Sequence, residues 1–387
     1  MIPLRYNMRS LMVRRTTSLM AMLGVALVVL VLFILTGFIA GLQSTVMAAA
    51  SRGVWIVLSR GVTSEPASYL TREQFNIIRT RGEIAEDTSG KGLISPEFVT
   101  GFFADPDKPY AQNQFTFLRG VYPIAYSVHP NFRVVSGRLP NPGQSEMVVG
   151  RKLAARAPNL VPGRQIHFGR RMWKIVGIFS DQNSARESEV WTDLDVLEQD
   201  VRYAHGFASL RVVLRPGMEE SFKHALSNDS RLVADAEPEV EFYSRESEFA
   251  DQLRGFGLLI VLILGIGASF GGMNTMYAAV ARRVREIGVL RTLGFSRRTV
   301  MLSFVLESMM LALAGGVVGE ALGVLIAVST GLDSRLMNVG MFIFSFNLTV
   351  GAFGPPLIAA AVIGAASGLL PALRAARMTV TESIRAV

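Results

Sequence analysis

The stretch that decides the fold is GFGLLIVLILGIGASFGGMNTMYAAVARRVREIGVLRTLGFSRR, residues 255–298. Its first part, residues 255–281, contains no charged side chain. A membrane core about 30 Å thick is crossed by about 20 helical residues, because each adds about 1.5 Å. The second part, residues 282–298, holds six Arg and one Glu. The pattern therefore predicts a membrane-spanning helix followed by a basic loop.

Three further stretches of the 387-residue chain are long and apolar enough to span a membrane: residues 17–42, 299–328 and 348–370. The first follows four arginines in residues 1–16, as the apolar region of a secretory signal peptide would. Its apolar run exceeds the roughly 7–15 residues of a signal peptide, and no clear A-x-A motif ends it before about residue 47. We therefore expect a retained helix and four spans.

The distribution of charge predicts the orientation of these spans. The N-terminal segment, the 282–298 loop and the C-terminal tail together have a net charge of +11, whereas residues 43–254 have −1. Because cytoplasmic segments hold the Lys and Arg excess, we expect both termini inside and residues 43–254 outside. The basic pI of about 10.0 is then explained by topology and needs no nucleic-acid partner.

The predicted fold class is an α-helical membrane protein with four transmembrane helices and a large α+β extracytoplasmic domain between the first and second. The predicted segments are a cytoplasmic N-terminus (1–16), the first span (17–42), the outer domain with helical stalks (43–254), the second span (255–281), a cytoplasmic coupling helix (282–298), the third span (299–328), a short external loop (329–347), the fourth span (348–370) and a cytoplasmic tail (371–387).

The outer domain contains no Cys and must rely on its own core. Apolar runs predict strands, and capping or periodic patterns predict helices. The expected strands are residues 54–58, 210–214 and 240–243, with a hairpin formed by 165–168 and 172–179. The expected helices begin at the capping box Thr71-Arg-Glu-Gln74 and near residues 218–226, with stalks at 48–51 and 244–254 and loops at 105–109 and 140–143.

No motif for catalysis or nucleotide binding is found in the sequence. Gly90-Lys91 is the pair worth testing as a phosphate loop, but Ala85 and Gly92 stand where that motif needs Gly and then Ser or Thr. The four His are widely spaced and no HExxH motif occurs. No GxSxG nucleophile elbow is expected either, because the one stretch with that spacing, Gly267-Ala-Ser-Phe-Gly271, lies inside the apolar span 255–281 and not at a turn between a strand and a helix. We therefore predict a chain that is not an enzyme and holds no metal or cofactor.

Small residues and two carboxylates mark the spans. GxxxG spacing, which lets helices approach closely in lipid, recurs in all four spans, and packing within a protomer or across a dimer are both open. The motifs are Gly37/Gly41, Gly267/Gly271, Gly315/Gly319/Gly323 and Gly364/Gly368. Glu307 either pairs with an Arg at the inner interface or faces a central cavity. Glu320 is expected near the outer interface.

The basic loop has the pattern of a short amphipathic helix. Val284, Ile287, Leu290 and Leu293 recur at helical spacing, and Gly294 is placed to end the helix. Such a helix either lies on anionic lipid or docks on a partner protein.

Several segments resemble one family. MNTMYAAVARRVREIGVLRTLGFSRR (273–298), FVLESMMLALAGGVVGEALGV (304–324) and LLPALRAARMTVTESIRA (369–386) resemble MacB/FtsX-type ABC permeases. VVSGRLPNPGQSEMVVGRKLAA…VPGRQIHFGRRMWKIVGIF (134–179) is similar to the periplasmic core domain of the macrolide-exporter branch. Two departures are the Thr-Val-Thr at 379–381, where the family often has Pro, and the lack of a fused ATPase, as in the lipoprotein-extracting and glycolipid-exporting branches.

The resemblance implies a permease that seats its coupling helix in a groove of a separate ATPase. The residues it assigns to ATPase coupling are Arg283, Arg285, Glu286, Ile287, Gly288, Leu290, Arg291 and Gly294. It implies two ATPase copies that bind ATP and Mg²⁺, and a second permease subunit, with a homodimer expected and a heterodimer open. A periplasmic adaptor and an outer-membrane channel are further open partners. The implied location is the bacterial inner membrane.

The expected function is to couple ATP hydrolysis by the separate subunit to export or extraction of a substrate outside the inner membrane. The alternative is a signalling permease of the cell-division type, which activates a cell-wall hydrolase. That branch has a small outer domain, so the large segment 43–254 favours transport.

Overall fold

The computed structural model describes residues 15–51, 53–103, 115–157, 159–201, 206–246, 248–330, 336–339, 342–346 and 350–378. The chain divides into two compact units. The helical unit comprises residues 1–40, 250–335 and 346–387, and the α/β unit comprises residues 41–249 and 336–345. The predicted loop at 105–109 lies outside the described residues.

The described helices range from one turn to more than thirty residues. In chain order they are α1 (Arg15–Met47), α2 (Arg72–Ile78), α3 (Ala125–Val128), α4 (Arg151–Arg156), α5 (Leu194–Val201), α6 (Glu219–Asn228), α7 (Glu239–Glu246), α8 (Glu248–Arg282), α9 (Val284–Thr292), α10 (Arg297–Thr330) and α11 (Gly354–Arg377). Short 3-10 helices occupy Glu65–Ala67, Ala185–Ser188 and Val350–Ala352.

The strands belong to the α/β unit. They are β1 (Val54–Ser59), β2 (Leu70–Thr71), β3 (Ile94–Phe103), β4 (Phe115–Val121), β5 (Arg133–Gly137), β6 (Glu146–Gly150), β7 (Gln165–Phe168), β8 (Arg171–Ser180), β9 (Val190–Asp193), β10 (Gly206–Phe207), β11 (Ser209–Val213), β12 (Ala234–Pro238), β13 (Leu336–Val339) and β14 (Phe342–Ser345).

In the described part of the chain, four helices are long and apolar enough to cross a membrane: α1, α8, α10 and α11. The mixed α/β unit is inserted between the first and second of them, which confirms the predicted fold class. Their apolar character is continuous around most of the helix surface, as expected of helices in lipid.

The glycines of α10 and α11 pack within the protomer. A Cβ atom added to Gly315 would lie 2.6 Å from the carbonyl oxygen of Met22 in α1, so the two backbones touch. Gly364 of α11 approaches Met309 of α10 in the same way, with 2.8 Å from an added Cβ atom to the Met309 Cα atom. In α8, by contrast, nothing lies within 4 Å of a Cβ atom at Gly267. Intramolecular packing therefore accounts for the GxxxG motifs of the third and fourth spans.

The α/β unit is built on a ten-stranded sheet with the order β12-β1-β11-β3-β4-β9-β6-β8-β5, and β7 pairs with β8. Strand β1 lies between two antiparallel neighbours, so that Val57 faces Leu210 and Ala236. Its five buried residues explain why its sequence is continuously apolar rather than alternating. The core contains the fully buried indole rings of Trp173 and Trp191.

Several predicted elements of this unit are confirmed. Thr71 caps α2 through a reciprocal capping box with Gln74, and β7 and β8 form the predicted hairpin. Residues 54–58 and 210–214 lie in or at the ends of β1 and β11, and 218–226 fall largely in α6. The loop at 140–143 is also present.

Two expectations are wrong, and a third segment contains structure that was not expected. Residues 240–243 are helical in α7, because Glu239, Phe242 and Tyr243 share one buried helix face. The chain at 48–51 does not extend α1, which ends at Met47. The segment 329–347 contains the hairpin β13–β14, which belongs to the α/β unit; its strands of four residues gain stability from packing, with Ile343 fully buried in that unit's core.

Candidate coupling site and buried charge network

A short helix, α9, lies within residues 282–298, where the coupling helix was predicted. The chain turns at Arg283, whose φ of −108° and ψ of 14° separate α8 from α9. At the other end Gly294 adopts a φ of +89°, and the amides of Gly294 and Phe295 donate to the carbonyls of Arg291 and Leu290. This is a Schellman cap, which favours glycine because a side chain is strained at positive φ. Local sequence therefore defines both ends of α9.

The faces of α9 differ from those expected of a helix lying on lipid. Ile287 and Gly288 are buried, and Ile287 packs in a cluster with residues of α8, α10 and α11. Val289 and Leu293 are 54% and 71% exposed. The other residues assigned to coupling divide the same way: Arg285, Glu286 and Gly294 are exposed, whereas Arg283, Leu290 and Arg291 are half-buried. The apolar face of α9 is thus largely used against its own bundle.

Glu307 pairs with an arginine, which was one of its two expected environments. Arg283 Nη1 donates to Glu307 Oε2 at 2.9 Å, and the two side chains are 11% and 3% exposed. Arg283 Nε also lies 3.8 Å from the exposed carboxylate of Glu286. The pair therefore ties the turn between α8 and α9 to the third span.

Glu320 is only 7% exposed within the helical unit. In the described part of the chain, its Oε1 atom has no hydrogen-bond partner.

The α/β unit contains a buried charge network that the sequence did not predict. Arg119 lies at its centre and is 2% exposed. Its guanidinium donates to Glu65, Glu97 and Glu189, each at 2.7 Å for the shortest contact. His129 Nε2 lies 2.7 Å from the other oxygen of Glu97. Every hydrogen-bonded partner in this group is buried, so the charges stabilise one another in a poorly solvated interior.

A second part of the network is centred on Glu239, the first residue of α7. Its Oε1 atom accepts from Arg186 at 2.8 Å and from Arg211 at 2.9 Å. Its Oε2 atom accepts from the backbone amide of Ser51 at 3.0 Å. One buried carboxylate thus joins the segment that follows α1 to the helix that precedes α8.

Residues 181–189, called here the junction loop, are connected to three segments in or next to the membrane helices, two of them directly and one through Lys152. Arg186 reaches Glu239, as described above. The Ile343 amide in β14 donates to Ser188 Oγ at 3.0 Å. Lys152 Nζ donates to the carbonyl of Asn183 at 2.5 Å and to Thr45 Oγ1 in α1 at 3.3 Å.

The conformation of the junction loop is strained. Gln182 and Asn183 have φ values of +50° and +61°, which non-glycine residues seldom adopt. The Glu187 carboxylate holds them there by accepting the amides of Asp181 and Asn183 at 2.8 and 3.0 Å. Strain of this kind tends to accompany function.

Charge and burial shift the pKa of several groups in these clusters, among them Glu65 and Lys152. Burial alone would raise the pKa of Glu65, but the Arg119 and Arg211 guanidiniums lower it from its ordinary 4.5 to about 2. Burial lowers the pKa of Lys152 to about 8, although the charge of Glu187 opposes that shift. Glu65 is therefore ionised at neutral pH.

The network was missed because its members come from distant parts of the sequence. The available signal was a charged residue inside an apolar strand, as with Glu97 in β3, Arg119 in β4 and Arg211 in β11. A charge in such a position is rare unless it is paired.

Family models cover most of the chain. The MacB-like periplasmic core domain matches residues 18–228, more than half of the chain, and the FtsX-like permease C-terminal model matches residues 258–380. The chain therefore belongs to the MacB/FtsX-type family of ABC transporter permeases.

Two curated relatives and one solved structure are similar to parts of this chain. The macrolide export ATP-binding/permease protein MacB of Nitrobacter winogradskyi is 36% identical over 152 residues, 37% of this chain and 22% of that protein. An uncharacterised ABC transporter permease of Methanocaldococcus jannaschii, MJ1507, is 24% identical over 403 residues, 96% of this chain and 94% of that one. The periplasmic region of MacB from Actinobacillus actinomycetemcomitans covers 51% of this chain and 94% of that structure, with 13% identity and a TM-score of 0.38. The matched part of this chain spans about a fifth of the Nitrobacter protein.

Proposed function

We propose that this chain is the permease subunit of an ATP-driven complex. A separate ATPase, in two copies, would bind ATP and Mg²⁺, and a second permease subunit would complete a dimer. The chain itself would supply no catalytic group and would couple hydrolysis to export or extraction of a substrate outside the inner membrane. Family membership and the predicted inside location of α9 support this proposal.

The faces of α9 favour docking on a protein over lying on lipid. A lipid-bound amphipathic helix inserts its apolar face into the membrane boundary. In α9 that face is occupied by the bundle, since Ile287 is 1% exposed. The exposed Val289 and Leu293 stand beside the charged Arg285 and Glu286. Exposed apolar residues surrounded by charged ones are typical of a surface that binds another protein.

The Arg283–Glu307 pair supports a mechanical role for α9. Removing one partner of a buried pair leaves the other uncompensated, at a cost of about 3–5 kcal/mol. A force on α9 would therefore be passed to α10 rather than absorbed by rotation at the turn. The hydrogen bond is 2.9 Å long, and Arg283 lies directly at the turn.

The junction loop supports transmission within the outer domain. Its contacts reach the helix before α8 through Glu239 and the hairpin between α10 and α11 through Ile343, and they reach Thr45 in α1 indirectly, through Lys152. A shift of any one of these segments would strain the bonds to the other two. The loop is therefore the place where we propose that the movements of the spans are combined.

Leu293→Asp tests the proposed docking surface. Leu293 is 71% exposed, so a carboxylate there keeps the bundle folded but opposes an apolar contact. We expect at least a tenfold loss of co-purified ATPase and of permease-stimulated ATP hydrolysis, which corresponds to about 1.4 kcal/mol. Met172→Asp, at a 52% exposed residue of β8, is the matched control and should retain both. Full retention by Leu293→Asp would contradict docking through α9.

Gly288→Trp is a less specific test of docking through α9 than Leu293→Asp. Gly288 is buried against the bundle, so a bulky side chain there would disturb packing as well as any partner contact.

A further inference from the structure

A cavity of about 630 Å³ opens in the helical unit, where α11 ends beside the start of α9. Its size is in the range of ordinary ligand sites, about 300–1,000 Å³. The residues that line it are Val284, Leu370, Leu373, Arg374, Arg377 and Met378. The coupling role proposed for α9 does not use this cavity.

The wall formed by α11 changes from apolar to cationic along the helix. Leu370, Leu373, Arg374 and Arg377 are spaced i, i+3, i+4 and i+7, so they share one face. They extend over about 10 Å, at 1.5 Å for each residue. The leucines lie toward the middle of the span and the arginines toward its end. This is the polarity of a lipid, from its acyl chains to its headgroup.

Among the described residues, no carboxylate compensates the charge of the cationic end. Neither Arg374 nor Arg377 forms an ion pair with any described residue, and the lining contains no carboxylate. Arg374 is positioned by the ring of Tyr277 in α8, with its Cζ atom 5.9 Å from the ring centre. Two exposed guanidiniums at one site favour an anion with several oxygen atoms.

We infer that this cavity binds the headgroup of an anionic phospholipid. The phosphate would lie against Arg374 and Arg377, and the upper parts of the acyl chains against Leu370 and Leu373. A free phosphate would use the arginines but not the leucines. A basic pocket between spanning helices, at the membrane boundary, is where anionic headgroups bind.

A lipid at this site would also contact the coupling helix. Val284 is the first residue of α9, and it follows directly on the Arg283 turn. A bound headgroup would therefore restrict the position of α9 relative to α11.

Titration of the purified full chain in neutral detergent tests the inference. Phosphatidylglycerol, phosphatidylcholine and inorganic phosphate are added in separate arms, and the temperature at which the size-exclusion peak is lost is recorded. We expect stabilisation by phosphatidylglycerol alone. Arg374→Gln with Arg377→Gln should weaken the apparent affinity about 30-fold, on the scale expected for two basic residues near anionic lipid.

The matched control is Arg297→Gln with Arg298→Gln, two exposed arginines that do not line the cavity. The control pair should leave the phosphatidylglycerol titration unchanged. Arg374→Lys with Arg377→Lys keeps both positive charges, so it should retain most of the affinity for phosphatidylglycerol and show that the site tolerates substitution. An equal loss in the control pair would show a general surface attraction and overturn the site. Equal stabilisation by phosphatidylcholine or by inorganic phosphate would also overturn it. The lipid site would also be overturned if Arg374→Gln with Arg377→Gln kept its response to phosphatidylglycerol but no longer bound the ATPase. The cavity would then be part of the interface with that protein.

Discussion

The helical unit and the α/β unit are each stabilised by a different kind of internal contact. In the helical unit, backbones touch at glycines such as Gly315 and Gly364, and Ser308 Oγ donates to the Gly364 carbonyl at 2.7 Å. In the α/β unit, arginines and carboxylates are buried together around Arg119 and Glu239. The contrast follows from the surroundings of the two units, which are lipid for the helical unit and water for the α/β unit. Lipid provides no hydrophobic drive between helices, so close packing has to hold them.

The α/β unit can bury charge because its apolar core is large. Residues such as Trp173, Leu210 and Phe222 are fully buried in this unit. Replacing a buried ion network by apolar residues is often neutral or stabilising, so stability alone does not account for it. The geometry of the network accounts for it better, because its directional hydrogen bonds hold the segments next to the spans in one arrangement. The helical bundle is therefore stabilised by close packing of its helices, whereas the segments of the α/β unit are positioned by buried ion pairs.

The largest expected effect is at the centre of the charge network. Arg119→Met would leave Glu65, Glu97 and Glu189 without their shared cation, so we expect a loss of about 3–5 kcal/mol in the free energy of unfolding. All three Trp lie in the α/β unit, so urea denaturation followed by Trp fluorescence reports on that unit. Arg215→Met is the control, since its pair with Glu86 is about half exposed and worth about 0–1 kcal/mol. Equal effects would mean that burial does not distinguish the pairs.

Acid should weaken the α/β unit through Glu65. Its pKa is about 2 when folded and 4.5 ordinarily, so its contribution is complete above pH 4.5 and is lost as the pH falls toward 2. The loss for this group is about 3 kcal/mol. The same fluorescence assay at pH 7, 4 and 3 measures it. Glu65→Gln should flatten that pH dependence; an unchanged slope would assign the acid sensitivity to other groups.

A smaller effect is expected from one methyl group in the bundle. Gly319→Ala would press a Cβ atom against the Ala26 carbonyl in α1, and overpacking of this kind costs about 1–3 kcal/mol. Gly271→Ala adds the same methyl group where nothing lies within 4 Å. The temperature at which the detergent-purified chain loses its size-exclusion peak should fall for the first variant only. If both variants behave alike, close backbone contact does not hold the bundle.

Local patterns were sufficient to predict the spans and α9. The four apolar stretches are each longer than a bilayer requires, and Gly294 marks the end of α9 by its own backbone preference. The capping box at Thr71 is similarly local. The predicted coupling residues cover both faces of α9, because helical spacing alone does not say whether Ile287 faces the bundle or a partner.

Tertiary contacts explain what the sequence did not predict. Glu239 occupies a buried position on α7 because Arg186 and Arg211 neutralise it, and this hides the helical period of residues 239–243. The hairpin β13–β14 is too short to predict and is stabilised by the contact of Ile343 with Ser188. The junction loop likewise depends on contacts from distant parts of the chain, such as Lys152 with Thr45.

The most direct test of the central claim follows nucleotide-driven change at the junction loop. Amide hydrogen exchange would be measured on the complex with its ATPase, with and without a non-hydrolysable ATP analogue. We expect exchange in residues 181–189 and in α7 to change on nucleotide binding, while α6 stays constant, and we expect Arg186→Met to abolish the change in α7. A nucleotide effect confined to the helical unit, with residues 181–189 unaltered, would contradict the proposal that this loop combines the movements of the spans.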